Sequence, residues 1–237
     1  CSAVGGRATP PTARASRRIG LGLTGLADAL AMLGIRYGSP ESFEMGEKVM
    51  QTICHSAYRA SIELARERGA FPAFQAEPYL SGEFIRSLPE DIVQGIRRHG
   101  LRNSHLTAIA PTGTISLLAN NVSSGLEPIF DWEYMRRIRE ADGGFCQVQV
   151  EDYACHQFYL QHAEAASLPA AFVRVGGVAP EAHIRMQAAL QAHVDNAISK
   201  TINVPAEFDF DSFRSIYEKA YDMGLKGCTV FRPNPVT

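Results

Sequence analysis

Near its end the chain sets two short apolar runs either side of a long amphipathic stretch, and that arrangement leaves few architectures open. Thr201–Val204 reads as a strand ended by Pro205, a helix capped by Asp211 runs to Met223 and stops at Gly224, and Gly227–Phe231 reads as a second strand. Strand, helix, strand at this spacing is a βαβ unit, so the chain is expected to be α/β.

The rest of the chain is mostly helical in pattern. From Phe43 to Arg68 the apolar residues Met45, Val49, Met50, Ile53, Ala57, Ala60, Leu64 and Ala65 recur at steps of three and four, and Gly69 closes the helix. The second half of Arg17–Leu33, Pro89–His99, residues 148–166 and Pro180–Val194 also read as helices, whereas 70–88, with Pro72, Pro78 and Gly82, reads as irregular connection. Residues 1–16 are rich in Ala, Gly, Pro, Ser and Thr and are expected to form a disordered leader or linker, leaving 17–237 as the folded part.

With 237 residues, 46% apolar and 20% charged, the chain is long enough for one or two domains with a substantial core. A formal net charge of -2 offers no electrostatic footprint for nucleic acid. No apolar run reaches the roughly 18 to 20 residues that cross a bilayer, so no membrane partner is expected. The five cysteines (Cys1, Cys54, Cys146, Cys155 and Cys228) are widely spaced with no C-x-x-C pair, which speaks against a disulfide framework or zinc ribbon and for a reducing cytoplasm. No histidine grouping has metal-ligand spacing: His156 and His162 are on different faces of a helix, and His183 and His193 are farther apart.

Gly20, Gly22 and Gly25 form a literal G-x-G-x-x-G, but a polar leader ending in Arg17 and Arg18 precedes it where a dinucleotide fold needs a buried strand. Close backbone packing through the glycines is the favoured reading. The stretch Leu106–Leu118 carries more chemistry. An apolar strand, His105–Ala110, leads into Pro111, Thr112, Gly113, Thr114, Ile115 and Ser116, and a helix is expected from Leu117. Small residues, three hydroxyls and the unpaired N–H groups of a helix start suit a phosphate. An ordinary strand-to-helix turn uses the same residues, so the residues alone leave both open. The Gly-Lys-Ser/Thr ending of an NTP-hydrolysing loop is missing. Arg136, Arg137 and Arg139 read as a solvated helix face, and Cys228 as a small buried strand residue.

Five segments occur in a telling order: RRIGLGLTGLADAL (17–30), NSHLTAIAPTGTIS (103–116), SSGLEPIFDWEYMRR (123–137), HVDNAISKTINVP (193–205) and KAYDMGLKGCTVFRPN (219–234). Together they resemble the carboxy-terminal part of ribonucleotide reductase catalytic subunits, above all the cobalamin-dependent class II. The resemblance implies part of a ten-stranded α/β barrel, built of two half-barrels around a finger loop that carries a radical cysteine. It implies reduction of the ribose 2′-hydroxyl of a ribonucleoside di- or triphosphate by thiyl-radical chemistry. Pro111–Ser116 matches the family's substrate-phosphate cradle, and Ser124, Gly125 and Glu127 fall in a segment near substrate and cofactor, with Cys228 as a further pocket residue. Where another class carries a radical-transfer tyrosine pair, this chain has Cys228, Thr229, Val230 and Phe231, which favours adenosylcobalamin as the radical source.

The finger-loop motif Asn-x-Cys-x-Glu is not in the sequence, nor is the cysteine pair that re-reduces the family's site at its carboxy terminus. No residue can therefore be given the hydrogen-abstracting role. The expectation is a complementing part of a reductase, in a homo- or hetero-oligomer with a larger chain carrying the radical cysteine. A catalytically silent nucleotide-binding or assembly module of the same fold is the alternative, and a self-sufficient NAD enzyme resting on Gly20–Gly25 is a weaker third.

Overall fold

The computed structural model describes residues 10–139 and 143–233. In chain order the elements are α1 (Pro11–Ser16), α2 (Leu26–Met32), α3 (Pro40–Arg68), α4 (Ala76–Leu80), α5 (Glu83–Arg86), α6 (Glu90–His99), α7 (Gly113–Leu118), β1 (Glu133–Arg139), β2 (Phe145–Glu151), α8 (Tyr153–Gln161), α9 (Pro180–Gln191), β3 (Thr201–Asn203), α10 (Phe210–Asp222) and β4 (Thr229–Phe231). They form two compact units. One takes the described residues of 10–22, 47–108 and 192–197, and the other those of 23–46, 109–191 and 198–233.

The first unit is built on the greater part of α3. Cys54, Ala57, Tyr58 and Ile62 on its apolar stripe pack with Ile92 and Ile96 of α6, Ile85, Leu88, Leu101 and Leu106. Gly95 is where α6 meets this stripe: a Cβ there would stand 2.9 Å from the Ile62 side chain. The expected strand His105–Ala110 does not form. Leu106 and Thr107 give their N–H groups to the Asp195 carboxylate at 2.7 and 3.0 Å, so two successive donors go to a side chain, and Ala108 donates to the Leu21 carbonyl at 2.8 Å. Only isolated parallel bridges remain, Leu21 with Thr107 here and Ile109 with Ile198 in the second unit. Tyr58 completes the Asp195 cluster by donating its hydroxyl at 2.8 Å.

The second unit holds both sheets. β3 and β4 pair in parallel, Ile202 opposite Val230, with α10 as the crossover, so the βαβ unit forms as expected. Ile184, Ile202, Val204 and Ile216 make its buried centre. β1 and β2 form an antiparallel hairpin, Arg136 opposite Val148. Two expectations fail at this hairpin. The expectation for residues 148–166 is one helix, and for the arginine run a helix face. Instead the alternation of Cys146, Val148 and Val150 belongs to a strand, and Asp152 starts a separate helix by accepting from the Cys155 N–H at 3.2 Å. Short apolar runs fit either period, which is why the hairpin was misread.

Other differences are smaller. Asp209, and not Asp211, caps α10. The supposed irregular stretch 70–88 contains α4 and α5, and α7 starts at Gly113 instead of Leu117. Of the supposed leader, residues 1–9 lie outside the described residues and Pro11–Ser16 is helical. The mixed helix and strand content agrees with the α/β expectation, and among the described residues the strands do not close into a barrel. No helix among them is long and apolar enough to cross a membrane.

Candidate functional site

The second unit contains a cavity of about 540 Å³ whose wall includes Gly113 and Ser116 of α7, Ser124, Glu127, Asp152 and Thr201. The backbone that leads into α7 is tied by side-chain hydrogen bonds to other segments. Thr112, the residue before α7, has φ 53, a left-handed conformation that a β-branched residue avoids. Its Oγ1 lies 3.0 Å from Thr24 Oγ1 and accepts the Gly125 N–H at 2.7 Å, while the Thr24 hydroxyl donates to the Ser123 carbonyl at 3.0 Å. One hydroxyl proton per threonine sets the direction: Thr112 donates to Thr24, and Thr24 to Ser123. Gly125, at φ 55, is required here, because a Cβ would stand 3.0 Å from the Ala110 carbonyl oxygen.

Ser116 is buried, donates to the Gly113 carbonyl at 3.1 Å and lies 3.1 Å from Ser124 Oγ, so the Ser124 hydroxyl donates to it. The N–H groups of Gly113, Thr114 and Ile115 have no carbonyl partner among the described residues, as at any helix start. Of the six residues expected to cradle phosphate, Pro111, Gly113 and Ser116 line the cavity. Thr112 is instead the fastening that holds the Ser123–Gly125 segment beside it, and Ile115 is exposed. Of the four expected pocket residues, Ser124 and Glu127 are in the wall, Gly125 supports it, and Cys228 packs against the Ile184–Ile216 cluster.

Below the cavity lies a buried charge that sequence reading missed. The Lys200 side chain is 0% exposed and its ammonium spends all three protons: on Glu127 Oε2, on His183 Nδ1 at 2.7 Å and on the Thr201 carbonyl at 2.7 Å. Glu127 Oε1 accepts the Thr201 N–H at 2.8 Å, which ties the same carboxylate to the start of β3. Burial lowers the Lys200 pKa, and the Glu127 carboxylate works against that fall. His183 is pushed down to about 3, by burial first and then by the Lys200 charge, so it is neutral and accepts at Nδ1.

A second buried cluster meets the wall at Asp152. Asp28 of α2 accepts from the Ser123 N–H and from the Ala154 N–H at 3.3 Å, joining α2, the Ser123 segment and the start of α8. Asp152 lies against it, and burial together with the Asp28 charge raises the Asp152 carboxyl to about 7. Burial and the neighbouring Asp28 carboxylate both favour the protonated form of Asp152. Neither was singled out in the sequence. The available signal was a lone Asp within the apolar LADAL stretch of α2, just as Lys200 is a lone cation within ISKTINV.

The glycine motif is a packing device: a Cβ at Gly20 would stand 2.9 Å from the Ala108 Cβ, and α1, not a strand, precedes the motif. Among the described residues no group of three or more His, Cys, Asp or Glu is placed to hold a metal ion, and Cys54, Cys146, Cys155 and Cys228 are free thiols.

A hydroxyl-rich loop leading into α7 and the buried Lys200–Glu127 pair thus meet at one cavity beside the βαβ unit. The family described as "Ribonucleotide reductase, barrel domain" matches residues 7–231, and the chain belongs to that family. It is 39% identical to the vitamin B12-dependent ribonucleoside-diphosphate reductase of Mycobacterium tuberculosis over 93% of this chain and 32% of that protein. It is 34% identical to the protein of the same description from Thermoplasma acidophilum, over 94% of this chain and 29% of the relative. The ribonucleoside-diphosphate reductase subunit alpha of Treponema pallidum is 26% identical over 89% of this chain and 24% of its own length. The chain thus spans about a third or less of these relatives.

Proposed function

We propose that residues 17–237 form the carboxy-terminal half of a ten-stranded catalytic α/β barrel in a cytoplasmic, adenosylcobalamin-dependent ribonucleotide reductase. The observation that carries this reading is the cavity in which Gly113, Ser116 and Ser124 converge, formed by the segments that align with the reductase barrel domain. In this reading Pro111–Ser116 binds the phosphates of a ribonucleoside diphosphate. The N–H groups of Gly113, Thr114 and Ile115 donate to phosphate oxygen, Thr112 fastens Gly125 beside this loop, and the Lys200–Glu127 pair keeps the floor from moving. The radical cysteine comes from another segment or chain, in a homo- or hetero-oligomer, and supplies the thiyl chemistry at the ribose 2′-hydroxyl.

Adenosylcobalamin would supply the radical; it is assigned from the relatives' descriptions. A cavity of about 540 Å³ lies in the range of small-ligand pockets and suits a nucleotide, whereas a corrin with its nucleotide loop is several times larger. The residues present therefore do not by themselves make a cobalamin site, and no step is derived through it.

The test is deoxyribonucleotide formation from labelled CDP with adenosylcobalamin and dithiothreitol, by this chain alone and mixed with a polypeptide carrying Asn-x-Cys-x-Glu. Turnover only in the mixture, lost on Ser116→Ala or Gly125→Val, is expected. Nucleotide binding without turnover in either arm would instead point to a silent nucleotide-binding module.

A further inference from the structure

Three carboxylates line the cavity, Glu127, Asp131 and Asp152, and each is compensated within the wall. Glu127 is paired with Lys200. Asp131 accepts from Arg174 Nη1 at 3.0 Å, and that guanidinium holds its carboxyl below the usual range. Asp152 keeps its proton against Asp28. One cation also lines the cavity, Arg136, and its side chain has no hydrogen bond or ion pair among the described residues.

The strand geometry explains why this arginine and not its neighbours. Along β1 alternate residues share a face. Tyr134 and Arg136 both line the cavity, and Tyr134 is anchored there by donating its hydroxyl to Asn121 Oδ1 at 3.0 Å. Arg137 is on the other face, its guanidinium 3.9 Å from the centre of the Phe145 ring. The residue across the hairpin from Arg136 is Val148, so no partner strand supplies a counter-charge. Arg136 is partly buried, and a guanidinium held half out of water beside a wall whose carboxylates are already compensated favours an anionic partner. The phosphate cradle lacks the complement: Pro111–Ser116 contains no Lys or Arg.

We propose that Arg136 is the cation that pairs with the substrate's phosphate group across the cavity from Gly113 and Ser116, and so sets the preference for phosphorylated over unphosphorylated nucleosides. This rests on the phosphate-site reading above. Guanidinium and phosphate match as a planar fork on two oxygens, so lysine should replace it only in part.

The test is calorimetric titration of the full chain with CDP, cytidine and inorganic pyrophosphate. For Arg136→Gln, affinity for CDP and pyrophosphate should fall roughly 10- to 100-fold, the loss typical of a charge-assisted pair. Cytidine binding should not change, and the dependence of affinity on salt should weaken. Arg136→Lys should lie between Gln and wild type, which guards against a fold defect in the Gln variant. Wild-type affinity for CDP in both variants overturns the assignment of Arg136 but leaves the phosphate site standing. Ser116→Ala then reports separately on the cradle. No preference of the wild-type chain for CDP over cytidine would overturn both.

Discussion

Asp152 offers the most direct test of the buried wall, because its proton can be counted. In an unfolded chain its carboxyl titrates near 3.8, whereas in the fold it is raised to about 7 by burial and by Asp28. Between these values the folded state binds one proton more than the unfolded state, so stability falls as pH rises through this window, and above pH 7 the whole penalty is present. At about 1.4 kcal/mol per pH unit the penalty comes to roughly 4 kcal/mol. His183 acts in the opposite sense. Lowered from 6.5 to about 3, it makes the folded state bind one proton less, so stability is lost as pH falls below 6.5. The two slopes oppose each other between about pH 4 and 6.5, and the raw profile would hide both. The difference between Asp152→Asn and wild type removes the His183 contribution. Asparagine keeps an acceptor for the Cys155 N–H and imitates the protonated acid. Urea unfolding should find the two proteins within about 1 kcal/mol at pH 4.5 and the variant more stable by roughly 3–4 kcal/mol at pH 8. A difference that stays constant across this range would refute the idea that Asp152 carries the buried proton.

Two further substitutions probe the packing around the site. Lys200→Met leaves the Glu127 carboxylate and the His183 nitrogen without their donor, and should cost about 3–5 kcal/mol in urea unfolding, with part recovered on adding Glu127→Gln. Gly20→Ala places a methyl 2.9 Å from the Ala108 Cβ and should cost about 1–3 kcal/mol while nicotinamide cofactors bind neither form; a neutral result would remove the packing role of the motif.

What could be read from residue order follows the length over which a pattern repeats. The long stripe on α3 and the βαβ unit of β3, α10 and β4 were legible because each has enough residues to separate a period near 3.6 from a period of 2. The β1–β2 hairpin was not, since its short alternations also satisfy a helix. Half of the expected phosphate loop lines the cavity because a small-residue turn into a helix is a local design. Thr112 could not be assigned locally, as its partners Thr24 and Gly125 come from other segments.

By itself, then, the order of residues determined the helices with long periodic faces, the parallel crossover, the glycine positions and membership of the reductase barrel family. Tertiary structure decided the charges. That Lys200 is paired with Glu127, that Asp152 is pushed towards its protonated form by burial beside Asp28, and that Arg136 rather than Arg137 turns to the cavity depend on groups distant in sequence meeting out of water. A charge in a sequence is free to be solvated. Only a fold that removes the water makes its partner a necessity, and that partner is chosen by packing.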